Sequence, residues 1–346
     1  MMRSGGALTT GRGRGAVLVL AVAGLALAGC TPATPVADEP TPSATAGAPV
    51  ELFPLLGTPA PEGAGEHASL AVKIDNHPSA RPQYGLERAD IVFEELVEGG
   101  ITRYVAVWHS DLPGAVGPVR SIRPMDPDIV SPFGGIVAYS GGQDRFVRAM
   151  QDTGVVNAIE GHEDAAGVFS RTQERSAPHN VLLDAEELVA EHDELDAPPL
   201  QFRYASPPAE PAAVTGGEAA TVLEATFSPS SSAGWTYDPR EGAYTRAQNG
   251  EADIAQSGKP ITATNVVAVR VDIDESPGVP RTELQGSGEA WIATGGFVLR
   301  GTWVKEGARA PLRLVSSAGS VLPLAPGNTW VELVPNDSGA VRSASS

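Results

Sequence analysis

Cys30 is the only cysteine in this chain of 346 residues, and it closes Leu27-Ala28-Gly29-Cys30 directly after an apolar run. Arg3, Arg12 and Arg14 precede that run, which extends from Ala16 to Ala28. Basic leader, apolar stretch and small residues at the cut are the three parts of an export signal. The stretch is short of the ~20 residues that a membrane-spanning helix needs. Residues 1–29 are therefore expected to be a cleaved signal peptide, and Cys30 the acylated first residue of a lipoprotein on the extracytoplasmic face of the cell membrane. The competing readings are an uncleaved anchor helix and a plain secretory signal with an incidental cysteine. Acylation of Cys30 leaves no thiol for a disulfide, a thiolate zinc site or a cysteine nucleophile. Whatever follows must fold on its apolar core alone.

The formal charge of the whole chain is −18, and removal of the three leader arginines takes the remainder to −21. So acidic a body is repelled by nucleic acid and by anionic lipid head groups, which argues against a nucleic-acid partner. The lipid at Cys30 is then the membrane attachment, and stable attachment needs more than one acyl chain.

Residues 30–50 are rich in Pro, Thr and Ala and read as a semi-extended tether. Folding is expected from Leu52-Phe53-Pro54-Leu55. Pro207, Pro208 and Pro211 followed by Gly216-Gly217 mark a linker at 206–217 between a first domain, 51–205, and a second, 218–337. Residues 338–346 read as a disordered tail, and no internal repeat is present.

In the first domain Leu70, Val72 and Ile74 alternate with Lys73 and Asp75, and Ile91-Val92-Phe93 and Tyr104–Trp108 also read as strands. Gly135–Ser140 is an apolar strand running into Gly141-Gly142 and a helix at Gln143–Gln151. Asp184-Ala185-Glu186-Glu187 caps a helix expected to reach about Leu195. The second domain alternates at Val267, Val269, Val271 and Ile273, at Phe297 and Leu299, and at Val331 and Leu333. The fold class is thus an α+β or α/β amino-terminal domain followed by a mainly antiparallel β domain.

Several stretches carry a resemblance. Ile74-Asp75-Asn76-His77-Pro78 with Ala80-Arg81-Pro82-Gln83, Ala89–Glu94, Val97–Arg103, Val116–Pro124 and Ala177-Pro178-His179-Asn180 resemble the YerB-like lipoprotein family. So do Tyr237-Asp238, Tyr244-Thr245-Arg246, Asn249-Gly250, Asn265-Val266-Val267, Gly301–Lys305 and Pro326–Trp330 in the second domain. The resemblance covers nearly all of Leu52 to Pro335. It implies a bacterial envelope lipoprotein with two family domains, and it implies no reaction.

The chemistry rests on the residues themselves. Lysine occurs once in the first domain, at Lys73, whereas Arg81, Arg103, Arg120, Arg123, Arg171 and Arg175 sit in turn-forming sequence. Arginine in fixed loops suits bidentate capture of carboxylate or phosphate. Arg120 and Arg123, three apart around Ser121, would share one face if Ser121 caps a helix. The ligand-binding candidates are Arg103, Arg120, Ser121 and Arg123, with Gly141 and Gly142 as a turn whose amides could hold an anion. Pairing with Glu94, Glu95, Glu98 and Asp126 is the structural alternative for the arginines. Asp75, Glu94 and Glu95, each at a strand end, are the catalytic candidates if they converge at one sheet edge. Ser140-Gly141-Gly142 lacks the first glycine of a nucleophile elbow, since Ala138 stands there. His179-Asn180 reads as a hydrogen-bonded turn. His77, His109, His162 and His179 have no metal-ligand spacing, and no Walker loop or dinucleotide fingerprint occurs, so neither metal nor cofactor is expected. Trp235, Tyr237, Tyr244, Trp303 and Trp330 are read first as core and second as sugar-stacking platforms.

Two functions follow. One is a binder of an anionic cell-wall polymer or an envelope protein, through an arginine-rich cleft. The other is a hydrolase or transferase on wall glycan or phosphodiester, using Asp75, Glu94 or Glu95.

Overall fold

In a computed structural model, the structure describes residues 50–345 except 208, 276 and 277. The expected signal peptide, Cys30 and the expected tether before residue 50 lie outside the described residues. Among the described residues no helix is long and apolar enough to cross a membrane.

The strand-forming runs assemble into one twelve-stranded mixed sheet. From the first domain come β1 (Leu70–Asp75), β2 (Ile91–Leu96), β3 (Thr102–Trp108), β4 (Ile136–Tyr139) and β5 (Val156–Ile159). From the second come β9 (Asn265–Asp274), β10 (Gly286–Thr294), β11 (Phe297–Lys305), β12 (Arg313–Val315) and β13 (Thr329–Pro335). The order of these ten is β12-β11-β10-β9-β13-β2-β3-β1-β4-β5, and two short strands, Arg281–Glu283 and Glu218–Ala219, pair with β9 and β11 off this path. Strand β13 lies between β9 and β2 and is parallel to both, so the two halves of the chain share one sheet. The second half is largely antiparallel, with the β9–β13 pair the parallel exception.

Strands β1, β2, β3 and β13 are buried along their whole length because both faces of the sheet are covered. One face carries α1 (Asp126–Val130), α2 (Asp144–Gln151) and α4 (Ala212–Gly216), through Ile129, Phe146, Met150 and Ala213. The other is covered by a second sheet, in which β6 (Val222–Ser228), β7 (Ser231–Asp238) and β8 (Ala243–Gln248) are neighbours in that order. Helix α3 (Ala185–Ala190) packs on this same side. Its cap is the expected one: Asp184 accepts the Glu187 N–H at 2.9 Å. The helix ends earlier than Leu195.

Trp235, Tyr244, Trp303 and Trp330 are all core residues. Trp330 meets Tyr104 and Trp235 edge-on at 5.3 and 5.2 Å between centroids, joining the two sheets. Part of the expected linker is ordered as α4.

The tail also differs from expectation. Ala340–Ala344 forms β14, which pairs antiparallel with β6 over five register positions. Ser338, expected in a disordered tail, donates from its hydroxyl to Phe227 O. The polar side chains of this segment gave no strand signal because only its inner side meets the core, at Val341. Deletion of Asp337–Ser346 is expected to leave β6 as an unpaired edge. Each lost backbone bond contributes about 0.5–1.5 kcal/mol, so the deletion is expected to lower stability by about 2–4 kcal/mol. A urea midpoint unchanged by the deletion would contradict this.

Candidate functional site

The carboxyl-terminal ends of β1 and β2 and the start of β3 carry a concentration of charge that a buried sheet tolerates only where each group has partners. Antiparallel pairing sets Asp75 opposite Arg103 and Arg103 opposite Glu95. These residues, with Lys73, point to the helix-covered face, whereas Glu94 points to the second sheet.

On the helix side, Arg120 Nε lies 3.0 Å from Asp75 Oδ2. His179 Nδ1 lies 2.6 Å from the same oxygen, and Asp75 Oδ1 accepts the His77 N–H at 3.1 Å. The His77 and His179 rings stack with centroids 4.5 Å apart. Arg103 donates to Ser121 O at 2.9 Å, and Arg123 reaches Glu98 at 2.7 Å. Burial, with Arg123 and Arg120 close by, brings the Arg103 guanidinium down to about 10. Burial tends to raise Glu98, yet its hydrogen bond from Arg123 holds it below the usual carboxylate range. Among the described residues Arg103 has no salt bridge, so three guanidinium groups share two carboxylates, Asp75 and Glu98. Arg120 and Arg123 keep 19% and 14% of their side-chain surface.

Arg120 and Arg123 are brought together by a route other than a helix. Ser121 caps nothing; its hydroxyl donates to Ser140 O at 3.0 Å, and α1 begins only at Asp126. The arginine segment is extended and stitched between strands: Arg120 N–H donates to Lys73 O, Ser140 N–H to Arg120 O, and Ile122 N–H to Gly141 O. Gly141 thus presents its carbonyl to the loop. Gly142 approaches so closely that a Cβ there would stand 3.0 Å from the Ile122 side chain. The glycine turn clamps the arginine loop.

The three catalytic candidates do not converge. β1 and β2 lie inside the sheet, not at its edge, and the side chains of Glu94 and Glu95 point to opposite faces. Both are 0% exposed. Glu95 pairs with Lys73, which also meets Asp126 at 2.8 Å. Glu94 pairs with Arg246, accepts from Thr102 at 2.6 Å and lies beside Asn76. Arg246 also pairs with Asp253 and is surrounded by the rings of Tyr104, Trp235 and Trp330 at 5.0–5.8 Å. Glu94 and Glu95 are therefore both spent on internal partners, Arg246 and Lys73. Among these carboxylates only Asp75 has partners that reach the surface.

Asn76, next in sequence to Asp75, donates to Thr102 at 2.7 Å and to Gln248 at 3.2 Å. These buried amides form part of the lining of a polar cavity of about 310 Å³, with Arg81, Ile101, Asn249 and Glu251 around it. No cluster of three or more metal-ligating side chains occurs among the described residues. Sequence reading missed the His77–Asp75–His179 arrangement, because Asp75 and His179 are 104 positions apart and no spacing rule connects them.

The amino- and carboxy-terminal domains of DUF3048, a family described as a protein of unknown function, match residues 55–197 and 223–331. The chain belongs to this family. It is 29% identical to the YerB protein of Bacillus subtilis (strain 168), named there as a lipoprotein, over 82% of this chain and 86% of that one. The crystal structure of Bacillus subtilis YerB is similar, with a TM-score of 0.72 at 27% identity, covering 84% of this chain and 99% of that one. Among the stretches through which the sequence resembles YerB-like proteins, those of the first domain supply Asp75, His77, Glu98, Arg103, Arg120 and His179 at this end of the sheet.

Proposed function

We propose that this DUF3048 protein is a lipoprotein, anchored through Cys30 on the extracytoplasmic face of the membrane, that docks an anionic envelope ligand at Arg103, Arg120 and Arg123. The observation that carries this reading is the local excess of guanidinium over carboxylate in a chain of net charge −18. An ionic ligand supplies the missing counter-charge, and bidentate guanidinium contacts favour phosphate or carboxylate groups. Ser121, Gly141 and Gly142 hold the loop in shape, so little ordering cost falls on binding. The polymer of a cell wall is the expected partner, and an envelope protein with an acidic patch is the other.

Arg123→Ala is the informative change, because Arg123 reaches the surface and its loss leaves Asp75 paired. Sedimentation with purified cell walls should show salt-sensitive binding by the wild-type protein. The variant should bind about tenfold more weakly, the loss expected of one charge-assisted contact. Equal binding by both proteins at low and high salt would defeat the arginine site.

A further inference from the structure

The hydrogen bonds around the stacked histidines fix which ring nitrogen carries the proton. A carboxylate only accepts, so His179 Nδ1, 2.6 Å from Asp75 Oδ2, carries a hydrogen, and in the neutral ring Nε2 is the nitrogen with the lone pair. A backbone amide only donates, so His77 Nδ1, which takes the Ser79 N–H at 3.1 Å, is the acceptor and its Nε2 carries the hydrogen. Asp75 is buried, so the Nδ1 edge of His179 is turned inward, while 16% of its side-chain surface remains open. Among the described residues neither Nε2 has a hydrogen-bond partner, and neither is among the buried atoms left without one. Two rings 4.5 Å apart therefore present one free imidazole base and one N–H donor beside Arg120. A base oriented by a buried carboxylate, with a donor and a cation close by, is the constellation of acyl-transfer chemistry.

We propose that Asp75, His179 and His77 form a hydrolytic site for an O-acyl ester carried by an anionic molecule. The proposal rests on the reading of the arginines as the anchor for the anion. His179 Nε2 removes a proton from water, and the water oxygen forms a bond to the ester carbonyl carbon. The carbonyl oxygen takes the electron pair and is met by the His77 Nε2–H and Arg120. The tetrahedral species then collapses. The carbon–oxygen bond to the alcohol breaks with its electron pair on the alcohol oxygen, which receives the proton from His179. Ester and water yield acid and alcohol, and His179 returns to its starting state. His179 and His77 are the catalytic residues, and Asp75 is a positioning residue.

The test uses the full chain in detergent micelles and two acetate esters, 4-acetoxyphenyl phosphate and the neutral 4-nitrophenyl acetate, with acetate release followed by NMR. The wild-type protein is expected to hydrolyse the phosphate-bearing ester in preference. His179→Gln, which changes a half-buried side chain, should lose about 100-fold or more in kcat while keeping its unfolding midpoint and its sedimentation with cell walls. Arg123→Ala should raise KM for the anionic ester and leave kcat nearly unchanged. Asp75→Asn should lower kcat with little change in KM. Wild-type acetate release no faster than buffer, or a His179→Gln rate equal to wild type, overturns the hydrolytic site. If binding to walls persists in that case, the anionic docking reading stands alone.

Discussion

Arg246→Met is expected to cost about 3–5 kcal/mol of stability, the loss seen when one partner of a buried ion pair is removed. Set against the roughly 5–15 kcal/mol that holds a typical protein folded, this brings the chain to the edge of unfolding. The Arg246 side chain has no exposed surface and bonds Glu94 on one side and Asp253 on the other. Burial opposes its charge, but Glu94 and Asp253 raise its pKa well above the ordinary arginine value. Glu332 stands beside Glu94 across the parallel β13–β2 pair, where two like charges would repel. Burial and the neighbouring Glu94 carry Glu332 far above the usual carboxylate range, so it remains protonated and accepts the Trp235 N–H at 2.6 Å. Methionine fills similar volume but leaves Glu94 charged without a partner between two sheets. Urea unfolding followed by tryptophan fluorescence would read the loss, since Trp235 and Trp330 line the same space. Glu94→Gln added to Arg246→Met should recover part of it. A single variant with the wild-type midpoint would mean that aromatic packing, not the ion pair, joins the sheets.

Strands β1, β2 and β3 were legible from their apolar runs, as in Leu70, Val72 and Ile74, and β4 from a short one, whereas β5 was not. Nor was the continuity of the sheet. Val331 and Leu333 mark β13 as a strand, but nothing local shows that it inserts beside β2, some 240 residues earlier. Strand β14 escaped notice because Arg342, Ser343 and Ala344 are exposed and Val341 alone among its side chains packs on the core. At the site, arginines in turn-forming sequence were visible as a pattern, and Arg120 and Arg123 do lie at one place. Their shared side comes from an extended loop held by Lys73, Ser140 and Gly141, and such backbone partners leave no mark in the side-chain sequence. Glu94 and Glu95 show the opposite problem: adjacent acids at a strand end look like a surface pair. Their strand is central, and two cations distant in the chain or on another strand, Arg246 and Lys73, absorb them.

The contribution of Glu95 to stability is expected to fall as pH rises from about 4.5 to 8. Lys73 offers one ammonium to two carboxylates, Glu95 and Asp126, in a space closed to solvent. Burial first, and the nearby Asp126 second, push Glu95 up to about 8 against the pull of Lys73. An unfolded glutamate releases its proton near 4.5, so between these two values the folded state binds more protons than the unfolded one. The share of stability that Glu95 contributes then decreases with pH across this window and levels off above it. Asp90, raised by burial to about 6, acts in the same sense but only up to that pH. Glu95→Gln keeps the shape and removes the titration. The variant should match wild type near pH 5, lose the slope between pH 6 and 8, and exceed wild type at pH 8 by about 1 kcal/mol or more. Urea midpoints taken at intervals of one pH unit would show it, and parallel curves for the two proteins would refute it. The consequence reaches the arginines, because Asp126 Oδ2 accepts the Arg123 N–H at 2.6 Å. A neutral Glu95 leaves Asp126 as the charged partner of Lys73, and the carboxylate that balances this buried lysine is the one that fixes the backbone of the arginine loop.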